Sequence, residues 1–515
     1  MFWFAAWRKE TMSETVPALT AARLSADARA LIATPSLILG GDATQGAGES
    51  IVAVDPFTEL EVGSIASATV EQVRAAVHSA REAVDSGPWS RLGPNDRSRL
   101  LLRAVDGLAR HRDALVELLV AETGSPISLT RALQVDAMME HLAWFAEAAR
   151  RGPVGGFEQQ LPVHRGPPVR SEGVLLREPI GVVAALTPYN IPFMTAVWKV
   201  GAALAAGCSA ILLPSPRAAL SSLAWSRALL EADLPAGAFS FIVGEAEVGR
   251  ELTESPQVDM VTFTGSNTVG RSVMRQASTN FKRVVLELGG KSANILLPGT
   301  DLEAVVAPSI LRFCRNAGQA CGATTRTFVP HTDYDRYADA ARAFMTEVLV
   351  GDPRDETTVV GPLIRPEHRE RVEGYVQRAV DGGAVIEAGG GRPETPSGYF
   401  MNPALVGRVG NDQEIAREEL FGPVGVLIPY VSVDEAVNMA NDSAYGLNAN
   451  VWGPSEAAAA TARRIRSGTV TINGGGGLRP DAPFGGYRQS GIGREAGEEG
   501  FAEFFETKHL QSPVT

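Results

Sequence analysis

The chain has 515 residues, 45% hydrophobic and 21% charged, which is the make-up of an ordinary globular protein with more chain than one hydrophobic core holds. Its formal net charge of −12 sets the overall field against phosphate backbones and anionic lipid, so neither nucleic acid nor a membrane surface is an expected partner. Three cysteines, Cys208, Cys314 and Cys321, without Cys-x-x-Cys spacing give no disulfide framework, and seven histidines without a His-Glu-x-x-His pattern argue against a metal site.

In chain order, residues 1 to about 30 read as a flexible leader. The opening Met1–Trp7 is too short to span a bilayer, and Arg8-Lys9-Glu10 follow it where a signal peptide would place basic residues first. Met12 is an alternative start, and a cytoplasmic location is expected. Apolar residues then recur at helical spacing over Val70–Ala83 and Arg97–Ala109, as in a helical layer with one polar face.

From residue 182 short apolar runs alternate with helical stretches: Val182–Leu186, Ala210–Leu213, Phe239–Val243, Met260–Phe263 and Val284–Leu286. A second set follows at Asn294–Leu297, Thr327–Val329, Ala404–Val406, Val424–Ile428 and Thr469–Ile472. Such alternation predicts two α/β domains with parallel sheets, divided near Leu288-Gly289-Gly290. Ligands of open α/β sheets bind beyond the carboxyl ends of strands, so the chemistry is expected at this junction.

Three residues there suit nucleophilic chemistry. Cys321 lies among small neighbours in Asn316-Ala-Gly-Gln-Ala-Cys-Gly322; by itself a cysteine is more often a small buried apolar residue. Glu287 is a carboxylate inside the apolar strand Val284–Leu288, either a base with a raised pKa or a structural hydrogen-bond acceptor. Asn190, in Leu186-Thr-Pro-Tyr-Asn-Ile-Pro192, is either an oxyanion donor or a helix N-cap. Gly265-Ser-Asn-Thr-Val-Gly270 follows a strand and opens a helix, aiming backbone amides at any bound anion. Gly491-Ile-Gly-Arg-Glu-Ala-Gly497 follows no predicted strand and is set aside as a dinucleotide fingerprint.

Together these segments resemble the aldehyde dehydrogenase superfamily from about residue 50 to the C-terminus. The resemblance is carried by TPYNIP (187–192), FTGSNTVG (263–270), LELGGK (286–291), NAGQACGA (316–323), EELFGPV (418–424), YGLNANVW (445–452) and PFGGYRQSGIGRE (483–495). It implies two Rossmann-like α/β domains, one binding the cofactor (31–160 and 180–288) and one catalytic (289–482). It also implies a small β oligomerisation flap (161–179 and 499–515) and hence a homodimer or homotetramer.

As the resemblance has it, Cys321 attacks the aldehyde carbon, Asn190 and the Cys321 amide hold the oxyanion, and hydride passes to NAD or NADP. Glu287 then activates the water that hydrolyses the thioester, and Lys199 supports the proton relay. Leu186, Pro188, Ser215, Gly265, Ser266, Val269, Leu288, Gly289, Glu419 and Phe421 are expected to hold the cofactor. Tyr189, Ile191, Thr195, Trp198, Gly474 and Arg479 are expected to face a substrate tunnel.

One departure bears on the cofactor. Where the family usually reads Lys-Pro-Ser-Glu, this chain reads Leu213-Pro-Ser-Pro216 followed by Arg217, so both polar ribose contacts are missing. Loss of the glutamate and the presence of Arg217 favour a 2′-phosphate, whereas loss of the lysine does not. NAD is expected ahead of NADP, bound less tightly than usual. Another departure, Arg488 for lysine, reads as a neutral exchange of cations.

The glycines Gly474–Gly477 predict an open tunnel wall and a sizeable apolar or aromatic aldehyde, or simply a turn. Two competing readings are a CoA-acylating semialdehyde dehydrogenase and a non-catalytic relative of the same fold.

Overall fold

The computed structural model describes residues 24–166, 168–395 and 397–514. Most of the leader expected over 1–30, with Met12, lies outside them. The last part of that stretch is not a loose chain. Ala26–Leu31 is a helix whose cap, Ser25 Oγ, accepts from Ala28 N at 3.1 Å, and Ala28 and Leu31 seat it in the core.

The helical layer comprises Val70–Asp85, Pro94–Arg110, Arg112–Thr123 and Ala137–Arg151. The first begins with a capping box, Thr69 Oγ1 accepting from Gln72 N at 3.3 Å while Gln72 Oε1 accepts from Thr69 N at 3.1 Å.

These helices cover an eight-stranded sheet. Its strand order is Gly491–Ile492, Arg283–Glu287, Met260–Thr264, Val182–Thr187, Ser209–Pro214, Phe239–Phe241, Leu37–Leu39, Asp42–Thr44. The five middle strands run parallel, and the pairs at either edge are antiparallel. Val182–Thr187 and Ser209–Pro214 are buried at every position, because helices lie on both faces; hence their unbroken apolar runs. The chain leaves Val182–Thr187 in one direction and later returns to its other side at Met260–Thr264. Between these two strands the order reverses, opening a crevice at their carboxyl ends.

A seven-stranded sheet follows in the order Val385–Gly389, Ala404–Gly407, Val424–Tyr430, Arg326–Pro330, Ala293–Leu296, Asn448–Trp452, Thr469–Ile472. Each sheet has its own apolar core, the first built from residues up to Leu288 and again from Ala496 to Phe505, the second from Ala293 to Ile465. Asn448–Trp452 is an interior strand that the apolar pattern does not reveal, since Asn448 and Asn450 interrupt it.

Two more placements differ from expectation. Gly491–Ile492, set aside in the sequence, is the edge strand that pairs with Leu286 and Glu287. The C-terminal stretch from 499 does not belong wholly to a flap: Phe501 and Phe504 are buried in the first core, and only Phe505–Pro513 is a strand. That strand joins Ser171–Pro179 and Glu158–His164 in an exposed three-stranded antiparallel sheet. Among the described residues no helix is long and apolar enough to cross a membrane.

Candidate active site

The crevice widens into a cavity of about 700 Å³ between the two sheets. Cys321, Glu287 and Asn190 all line it, although they come from three separate elements. Leu186, Pro188, Ser215, Gly265, Ser266, Val269, Leu288, Gly289, Glu419 and Phe421 line the same cavity, as does Tyr189. A larger cavity of about 990 Å³ adjoins it and shares Ser215, Pro216, Glu245 and Arg365, but contains none of the three reactive side chains.

Cys321 follows the helix Leu302–Cys314 through a turn in which Asn316, Ala317 and Gly318 are all left-handed, with φ of 54°, 51° and 69°. Only glycine fits the last of these, because a Cβ there would lie 2.0 Å from the Gly422 carbonyl. Side chains lock the turn in place. Asn190 Nδ2 donates to the Gln319 carbonyl at 2.8 Å, and Asn316 Nδ2 donates to the Asn190 carbonyl at 3.2 Å. Gln319 Oε1 accepts from Tyr189 Oη at 3.2 Å and from Ile364 N at 3.0 Å. Asn190 is thus no helix cap; the helix it precedes begins at Pro192, after Ile191.

Glu287 is the last residue of its strand and not a middle one, so its carboxylate reaches the cavity while the strand stays buried. Neither carboxylate oxygen has a hydrogen-bond partner among the described residues. Burial first, and then the charge of Glu495, raise its pKa well above the carboxylate range, against the opposing pull of Lys199 and Arg494. Cys321 is raised as well, by burial and then by the charges of Glu287 and Glu419. A resting thiol is therefore protonated at neutral pH, and a neighbouring base must take its proton.

Lys199 is fully buried and does not line the cavity. Its ammonium pairs with Glu495 and donates to Thr262 Oγ1 at 3.1 Å, and that hydroxyl donates to Glu495 Oε1 at 3.3 Å. Glu495 closes the string PFGGYRQSGIGRE but was given no role from the sequence, because its partner Lys199 lies 296 residues away. Lys291 also went unremarked within LELGGK. It is buried and its pKa is pushed down to about 7, first by burial and then by Arg326.

The cofactor-facing surface has the features a dinucleotide needs. Ser266 caps the helix Asn267–Ala277, its Oγ accepting from Val269 N at 3.4 Å, so free amides point into the crevice. Gly289 leaves room for Glu419, whose Oε2 would lie 2.2 Å from a Cβ there, and Glu419 Oε1 accepts from Gly290 N at 3.0 Å. Burial raises Glu419 to about 7. Phe421 holds a φ of 59° and packs edge-on against Tyr189 at 6.2 Å, its carbonyl accepting from His368 Nε2 at 2.7 Å.

The expected tunnel residues fare differently. Apart from Tyr189, none lines this cavity. Thr195 is buried and turns its hydroxyl back to the Ile191 and Pro192 carbonyls at 3.2 and 3.1 Å, which uses its one donor hydrogen. Ile191 and Trp198 are buried in the first core. Arg479 is exposed and held by Asp481 at 2.7 Å, and Gly474 lies beside Trp452.

A nucleotide-type α/β crevice with a thiol at its floor marks a dinucleotide-dependent oxidoreductase by class. The chain matches the aldehyde dehydrogenase family over residues 43–510, and it belongs to that family. It is 40% identical over 469 residues to a 3-succinoylsemialdehyde-pyridine dehydrogenase of a Pseudomonas species, covering 90% of this chain and 95% of that one. It is 38% identical over 450 residues to the geranial dehydrogenase of Castellaniella defragrans, covering 87% and 92%. Among solved structures it resembles aldehyde dehydrogenase C of Pseudomonas syringae, a mutant complexed with NAD+ and octanal, at a TM-score of 0.87 and 36% identity, covering 95% and 98%. The two Rossmann-like domains of the family are present, and the chain is an aldehyde-oxidising enzyme that uses an NAD-type cofactor.

If Asn190 serves the oxyanion, Asn190→Ala is expected to lower kcat about 10²–10³-fold with KM for the cofactor unchanged. Steady-state kinetics check this, and a loss confined to cofactor KM would assign Asn190 to binding instead.

Proposed function

We propose that the chain converts a sizeable apolar or aromatic aldehyde to its carboxylic acid by covalent catalysis at Cys321. The observation that carries this reading is the convergence of Cys321, Glu287 and Asn190 in one cavity with the helix N-terminus at Ser266. Glu287 takes the thiol proton, and the thiolate adds to the aldehyde carbon to form a thiohemiacetal. The Asn190 amide and the Cys321 N–H donate to its oxygen. A nicotinamide held beside Cys321 by Glu419 and Phe421 would supply the hydride acceptor needed for this adduct to become a thioester on Cys321. Glu287 then draws a proton from water, which attacks the thioester and frees the acid. The buried Lys199–Glu495 pair beside Glu287 provides a route for protons leaving it.

Glu419 and Phe421 would hold the nicotinamide ribose and ring, and Leu186, Pro188, Ser215, Val269 and Leu288 the remaining length. NAD is the preferred cofactor. Arg217 and Arg365 both line the cavity that adjoins the cofactor crevice, but Glu245 and Glu367 share its wall and weaken its draw on a 2′-phosphate. The relatives that act on geranial and on a pyridine semialdehyde support an apolar or aromatic substrate. The exposed strands Glu158–His164 and Phe505–Pro513 leave two free sheet edges, which supports pairing with a second copy in a homodimer or homotetramer. A cytoplasmic setting suits three free thiols.

A panel of aldehydes assayed with both cofactors tests the reading. Free acid and NADH are expected without CoA, with NADPH formed more slowly. Product formation that required CoA would favour the acylating alternative, and no turnover with either cofactor would favour a non-catalytic role.

A further inference from the structure

The helix Ala137–Arg151 turns His141 into the first core, where its ring is wholly buried. Trp198 Nε1 donates to His141 Nδ1 at 3.1 Å. An indole nitrogen can only donate, so the ring nitrogen it meets must be the unprotonated one, and Nε2 carries the hydrogen. Burial pushes the ring down to about 4, which keeps it neutral throughout the physiological range. Nε2 has no hydrogen-bond partner among the described residues, although buried donors rarely go unmatched. The Leu478 backbone is the polar group nearest this donor, close enough to pull the ring's pKa upward against burial but outside ordinary hydrogen-bond geometry.

This donor is connected to the reacting groups. The Trp198 ring lies 5.2 Å from that of Phe484, and Phe484 adjoins Gly485, where a Cβ would sit 2.9 Å from Glu287 Oε1. His141, Trp198 and Phe484 thus form a chain of ring contacts between the backbone beside Glu287 and the loop Gly474–Leu478, whose Leu478 backbone meets His141. Added side-chain atoms at Gly476 and Gly477 would meet nothing within 4 Å, so this loop has room to shift.

We propose that His141 Nε2–H is a substrate-recognition donor, which takes a neutral hydrogen-bond acceptor carried by the aldehyde remote from its carbonyl once the loop bearing Leu478 moves aside. A keto oxygen or an aromatic ring nitrogen has the required chemistry. A carboxylate would accept from the same N–H but would be buried without a counter-cation, since Arg479 on the loop is held by Asp481. The inference rests on the aldehyde-oxidation reading and adds to it the feature that separates one aromatic aldehyde from another.

The test compares 3-(pyridin-3-yl)propanal with 3-phenylpropanal, which differ by one ring nitrogen. The wild type is expected to favour the pyridyl aldehyde about tenfold in kcat/KM, mainly through KM, a preference worth about one good hydrogen bond. His141→Leu is expected to bring the ratio to about 1, while His141→Gln, which keeps a donor, retains part of it. No preference in the wild type, or a ratio unchanged in His141→Leu, would overturn the proposal; equal losses on both aldehydes are the signature of a mere loop latch. Calorimetry with the two corresponding primary alcohols separates this from the catalytic reading. If neither aldehyde is oxidised, the dehydrogenase reading fails, yet tighter binding of the pyridyl alcohol that is lost in His141→Leu still supports the donor, and equal binding overturns it.

Discussion

Replacing Cys321 with alanine is expected to lower kcat by about 10⁴-fold or more while NAD still binds, because the covalent route is lost and the crevice is not. The other two cysteines cannot stand in. Cys208 is buried, its Sγ donating to the Phe504 carbonyl at 3.5 Å, with burial pushing the thiol up to about 11. Cys314 is buried too and is raised further, with no compensating contact. Cys321 alone among the three is partly exposed and lines the cavity. NADH formation and NAD titration on the same sample check the prediction. Residual activity above about 1% of wild type would mean that another group performs the addition.

Glu287→Gln should produce a different defect. Its amide cannot accept a proton, so thioester hydrolysis is expected to fall about 10²–10⁴-fold. Because Glu287 also takes the thiol proton, the first turnover slows as well, and NADH is expected to form slowly from the start without a fast burst. The pH dependence follows from the sign of the shifts. Glu287 and Cys321 both titrate above their ordinary values, and both must lose a proton to act. Activity should therefore rise as pH climbs above the ordinary carboxylate range and fall as acid reprotonates Glu287, whereas the slow hydrolysis left in Glu287→Gln should lose that acid limb. Rapid-mixing kinetics between pH 6 and 9 test this. A variant with unchanged steady-state rate would remove Glu287 from the mechanism.

Much of the fold was legible because burial leaves a local mark. Strands covered on both faces are dominated by apolar residues, as Val182–Leu186 and Ala210–Leu213 are; strands with polar interior positions, such as Asn448–Trp452, lack that mark. Short edge strands such as Asp42–Thr44 and Gly491–Ile492 are too brief to carry a period at all. Likewise, Cys321 and Asn190 stand out within distinctive local strings, because a tight turn and a strand end demand glycine and proline around them. The tunnel residues were harder. Whether Thr195 or Trp198 faces a ligand or the core depends on which neighbouring helix covers it, and no spacing within a helix reports that.

What could be read from the linear order was therefore the set of elements and the types of chemistry they carry, since both are imposed by neighbours a few positions away. Pairings across the fold could not be read. Lys199 meets Glu495 across 296 residues, His141 meets Trp198 across 57, and Glu287 ends up beside Gly485 because the late strand Gly491–Ile492 returns to pair with Arg283–Glu287. Such contacts are set by how strands line up and how helices dock on them. They determine which buried groups find partners and which, like Glu287 and His141 Nε2, are left without them among the described residues.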